Sequence, residues 1–177
     1  MPKPIKTFIR YVDLINTQIG HFAMYLVLAM VAVLMFESLA RTFFDQPHIW
    51  VVEIVQFIMA AYYLLGGGYS MILEGHVRMD LLYGRWSPRK KAVMDLITAP
   101  VLIFYLLLLL YGGISSTEYA LQYNQVNYTP WAPPLAPIKI IMTFGIAMML
   151  LQTIATFFKD LEKASKKDQQ EEINNES

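Results

Sequence analysis

Four long stretches almost free of charge leave this chain little choice of fold. A helix needs ~20 apolar residues to cross a hydrocarbon core of ~30 Å, and in lipid it must satisfy its own backbone hydrogen bonds. Phe22 to Phe36 is uninterrupted apolar sequence. Hydrophobic periodicity and length place spans at about 19–40, 54–73, 93–114 and 138–158. The expected class is an all-α membrane protein with four transmembrane helices. Composition agrees, since only 16% of the 177 residues are charged and 56% are hydrophobic, against ~25% charged in an average soluble chain.

Charge is segregated rather than scarce everywhere. The hinge from Glu74 to Lys91 carries Arg78, Arg85, Arg89, Lys90 and Lys91. Lys3, Lys6 and Arg10 precede the first span, and Lys159, Lys163, Lys166 and Lys167 follow the last. The opposite side holds Arg41 and Lys139 at helix ends. The positive-inside rule therefore expects both termini and the hinge in the cytoplasm. The first apolar run is too long for a secretory leader, so it reads as a retained span.

Residues 1–18 carry Ile5, Phe8, Ile9, Val12 and Ile15 at helical spacing, an amphipathic pattern that expects an interfacial helix. Glu37 and Arg41 are one turn apart, and an i,i+4 ion pair would offset the cost of a carboxylate at that depth. Pro47 breaks the chain, Trp50 suits the interface belt, and Glu53 opens the second helix at the favourable end of its dipole. Gly66 and Ser70 give span two a small-x-x-x-small face for helix packing. Val77, Leu81 and Leu82 in the hinge expect a short surface helix between spans two and three. Ser87 and Pro88 read as N-cap and first residue of the third helix. Pro100 lies inside span three, where a kink is expected. The connector from Ser115 to Pro137 has no Lys or Arg; its Tyr119, Tyr123, Tyr128 and Trp131 suit an interface, and its prolines a rigid connector. The tail over 159–177 is polar and expected to lose structure past Lys167.

Chemistry-bearing patterns are few. No cysteine is present, which excludes disulfides, thiolate catalysis and cysteine-held iron–sulfur or zinc sites. His21, His48 and His76 are the only histidines; His48 falls on the opposite side from the other two, which would both sit at the rim. No phosphate loop, nucleotide fingerprint or catalytic triad is legible. No span carries a charge near its centre, and no inverted repeat is evident, as a self-contained transporter would require. Zero net charge offers no pull toward nucleic acid. The chain reads as a subunit and not as an enzyme.

Trp50-x-x-Glu53, Arg41 at the end of span one, Gly75-His76-Val77-Arg78-Met79-Asp80 after a glycine-bearing span two, and Ser87-Pro88-Arg89 before span three complete the pattern. With four spans, from about Asp13 to Phe158, the chain resembles the small membrane (DctQ-type) subunit of tripartite ATP-independent periplasmic (TRAP) transporters. The resemblance implies a bacterial inner-membrane scaffold subunit, with no cofactor of its own. Its partners would be a large elevator-type subunit carrying substrate and sodium sites, a periplasmic substrate-binding protein, and lipids. The cargo would be an organic acid: a 2-oxo acid, hydroxy acid, dicarboxylate or sialic acid. Gly66–Gly68 with the Gly-His-Val-Arg-Met-Asp element looks most like the 2-oxo acid and lactate branch. Arg41 and Glu53 would fix the outer end of the first hairpin, His76, Arg78 and Asp80 would anchor the inner surface, and Trp131 would be a belt residue or touch the docked binding protein. The rival readings are a haem- or quinone-linked anchor of an oxidoreductase and a small drug-type transporter.

Overall fold

The computed structural model describes residues 3–45, 47–73 and 88–175, with side-chain surroundings over 4–45, 47–73 and 97–162. Among these residues the chain forms four α-helices: α1 (Lys3–Phe44), α2 (Ile49–Ile72), α3 (Pro88–Gln122) and α4 (Ala136–Asn175). Each holds a segment long and apolar enough to cross a membrane. Pro88 is the first residue of α3, as its missing N–H and fixed φ favour, and α3 runs on through Pro100. The surface helix expected in the hinge lies outside the described residues.

The amphipathic leader and the first span are not separate elements. They form one helix of 42 residues, about 63 Å long at 1.5 Å per residue. Part of the leader's apolar stripe packs on protein, while Phe8 and Ile15 stay exposed. Ile9 and Val12 are buried with Ala155 of α4, and Ile5, Leu151 and Phe158 pack around them. Lys6 reaches Glu162 across the same seam at 3.9 Å. Both termini therefore sit at one end of the molecule, the near end. The tail also departs from expectation. α4 continues to Asn175, since residues 159–175 contain no Gly or Pro and are rich in Lys, Glu and Gln, all good helix formers.

Helix α4 is central. It packs against α3, α2 and α1, while α1 packs also on α2. Leu106 of α3 and Ile146 and Leu150 of α4 form a second buried cluster. Contact is closest where glycine removes a side chain. A Cβ on Gly145 would lie 2.8 Å from the backbone oxygen of Leu64, one on Gly67 2.6 Å from the Met149 sulfur, and one on Gly113 3.1 Å from Thr143 Oγ1. Gly20 likewise leaves room for the Tyr69 ring. Large apolar side chains on the outward faces of α1 and α3, among them Tyr25, Leu28, Val101, Phe104 and Leu108, remain more than half exposed.

Candidate functional site

At the near end a chain of polar side chains ties α1 to α4. Lys159 Nζ donates to both carboxylate oxygens of Asp13, at 2.8 and 2.7 Å. Gln152 Nε2 donates to Asp13 Oδ1 at 2.9 Å, and Asn16 Nδ2 donates to Gln152 Oε1 at 2.9 Å and to the Val12 carbonyl at 3.1 Å. The direction of the chain is fixed. An ionised carboxylate only accepts, so Gln152 must present its NH2 to Asp13 and its oxygen to Asn16. Asn16 and Gln152 are fully buried, and Asn16 Oδ1 has no hydrogen-bond partner among the described residues. That oxygen presses on Gly68 of α2, where a Cβ could not fit. Every other polar atom of the chain is spent on a neighbour, so the arrangement fastens helices.

The far end holds a second tie, and it corrects an expectation. Glu37 does not pair with Arg41. Its Oε1 accepts the His48 backbone N–H at 3.1 Å, and its Oε2 lies 3.0 Å from His48 Nδ1. One carboxylate thus spans the α1–α2 turn with both oxygens, which a flexible arginine further along the same helix cannot match. The His48 ring packs against Phe36 and, edge to face, against Trp50. Arg41 is exposed in the last turn of α1, where water and the helix dipole satisfy it. Glu53 is buried on α2, with its Oε2 unpartnered among the described residues. Neither a hydrogen bond nor an ion pair joins it to Arg41, and Arg41 and Glu53 stand apart at the outer end of this hairpin.

The α3–α4 connector is a compact hairpin. Asn127 N–H donates to the Pro133 carbonyl and Leu135 N–H to the Gln125 carbonyl, both at 2.9 Å. Lys139 Nζ donates to Gln125 Oε1 at 2.7 Å and to the Ser116 carbonyl at 3.3 Å, which locks the loop to both helix ends. Tyr128 projects at the tip, and Trp131 is 44% exposed. Beside it an open groove of about 720 Å³ is lined by Ile114, Thr117, Glu118, Leu121, Gln122 and Thr143. Thr117 and Thr143 are already bonded to each other at 2.9 Å.

The glycines of α2 divide between two directions. Gly67 and Gly68 make the contacts within the chain, while a side chain on Gly66 would meet nothing within 4 Å. Gly66 thus has open space beside it, while Ser70 is half-buried. His76, Arg78 and Asp80 lie outside the described residues. His21 packs against Tyr69 with ring centres 5.7 Å apart. Among the described residues no group of three His, Asp or Glu side chains is placed to hold a metal ion. Sequence reasoning missed Asn16 and Gln152. The available signal was Gln152, the one amide in the fourth apolar run.

No curated protein matches the chain. A family model described as "Tripartite ATP-independent periplasmic transporters, DctQ component" matches residues 30–163, about three quarters of the sequence. The match begins within α1, after Asp13 and Asn16, and runs past Gln152 and Lys159.

Proposed function

This chain belongs to the DctQ component family of tripartite ATP-independent periplasmic transporters, a multi-pass inner-membrane protein, and from that premise we propose that it is the scaffold subunit of a sodium-coupled organic-acid importer. The observation that carries this reading is where its polar groups go. Asp13, Asn16, Gln152 and Lys159 are used on one another between α1 and α4, while broad apolar faces stay uncovered. A protein built this way braces helices and offers surface. Substrate and sodium sites belong to the large partner subunit, and a periplasmic binding protein delivers the acid, with 2-oxo acids and lactate as the favoured class. The distribution of Lys and Arg supports cytoplasmic termini. In this setting Trp131 and the hairpin tip lie on the side where the binding protein docks, and His76, Arg78 and Asp80 meet lipid headgroups or the large subunit on the cytoplasmic face.

Proteoliposomes test the division of labour. Uptake of a radiolabelled 2-oxo acid is expected only when this chain, the large subunit, the binding protein and an inward sodium gradient are all present. Sodium-driven uptake by this chain alone would overturn the scaffold role. A narrower prediction concerns Arg41. Because Arg41 is exposed and makes no hydrogen bond or close ion pair among the described residues, Arg41→Ala is expected to change the stability of the isolated subunit by less than about 0.5 kcal/mol while lowering yield of the complex or uptake. Wild-type values of both would remove Arg41 from the interface.

A further inference from the structure

Six residues share one stripe along α2: Val52, Gln56, Met59 and Tyr63, all exposed, and Gly66 and Ser70, half-buried. Their spacing is 4-3-4-3-4, the a/d repeat by which one helix packs along another. Val52, Met59 and Tyr63 are 62%, 44% and 63% exposed. Gln56 is exposed as well, and Gly66 has open space where a side chain would stand.

Depth makes this stripe unlike the bare faces of α1 and α3. Helix α2 has 24 residues, about 36 Å, so Gln56 lies within about 7 Å of its midpoint, well inside a ~30 Å hydrocarbon core. Among the described residues it is the one exposed amide or charged side chain that deep in any of the four spans. Its side chain makes no hydrogen bond to a described residue. Leaving an amide bare in hydrocarbon costs about 4–8 kcal/mol on an alkane scale, and acyl chains offer no donor or acceptor. The occupant of this face must therefore supply hydrogen-bonding groups inside the hydrocarbon toward the Trp50 end of α2, which protein does and lipid tails do not. It must also be slim enough to come close at Gly66, as helices do over small residues.

We propose that the α2 stripe from Val52 to Ser70 is the surface on which a membrane helix of the large subunit packs, with a polar side chain opposite Gln56 and the nearest backbone approach at Gly66. This rests on the scaffold reading above and specifies its surface. The 3.5-residue repeat fixes a left-handed crossing near ~20°.

Site-specific photocrosslinking in the co-expressed, purified complex tests it. Benzoylphenylalanine at Val52 or Met59 is expected to give an adduct of this chain with the large subunit, while Leu28 on α1 and Leu108 on α3 give none. A Cβ at Gly66 has no described atom of its own chain within 4 Å, so Gly66→Leu is expected to fold and elute as wild type, while co-purified large subunit falls at least tenfold. Gly112→Leu, equally open but on α3, retains it. Adducts only from Leu28 or Leu108, adducts joining two copies of this chain, or wild-type recovery with Gly66→Leu would each overturn the stripe and leave the subunit role standing. If wild-type chain captured no large subunit at all, the subunit role itself would fail.

Discussion

Gly145→Leu is expected to abolish the folded subunit. A Cβ at this position would stand 2.8 Å from the Leu64 oxygen and 2.9 Å from its carbonyl carbon. These are backbone atoms of a helix, held by its hydrogen-bond ladder, and cannot turn aside as a side-chain tip can. Relief requires α2 and α4 to separate. Overpacking of one methyl into a tight contact costs about 1–3 kcal/mol, so Gly145→Ala is expected to lower the melting midpoint by several degrees. Leucine adds three more carbons at the same place, and its expected signature is loss of the monodisperse peak in detergent. Gly112→Leu, at a site where a Cβ meets nothing within 4 Å, serves as the matched control. A wild-type profile for Gly145→Leu would show that the two backbones do not approach as described.

The second large effect lies in the near-end polar chain. Gln152→Leu removes the acceptor of Asn16 and a donor to Asp13 in one step, leaving the fully buried Asn16 with only the Val12 carbonyl. Each stranded buried polar group costs about 1–3 kcal/mol. A loss of about 2 kcal/mol corresponds to roughly 4–8 °C for a chain of this size. The informative control is Asn16→Leu/Gln152→Leu. Replacing both partners by apolar groups of similar shape removes the stranded amide, so the double variant is expected to melt above Gln152→Leu. Additive losses would show that the two amides do not act on each other. Asp13 and Lys159 are each about a third exposed, so Asp13→Asn is expected to cost less than Gln152→Leu.

Which of these features the sequence disclosed follows from the range over which each is encoded. Spans are written locally, as runs of apolar residues, and all four were legible. Their helices run longer than the runs, because α1 and α4 extend into polar sequence that packs on its neighbour at Ile9, Val12 and Ala155. Three consecutive glycines stand about 100° apart on a helix, so composition could not say that Gly67 and Gly68 face inward and Gly66 outward. Glu37 shows the limit of neighbour rules. Arg41 was the obvious partner at i,i+4, yet the bond goes to His48 across a turn. Asn16 and Gln152 lie 136 positions apart, and nothing in either neighbourhood announces the other. The family relationship was legible because its most specific mark, His76-Val77-x-x-Asp80, is short and local in sequence.

The central place of α4 has a bearing on how the protein is made. Of the four helices α4 is synthesised after the other three, yet α3 packs on it and α1 needs it at Asp13 and Asn16. Until then α1 and α2 can join as a hairpin, while α3 waits in the bilayer with no docking place. The α1–α4 tie is therefore completed only after translation has passed Lys159, and a message cut short before Ala136 would leave three inserted helices for quality-control proteases to clear.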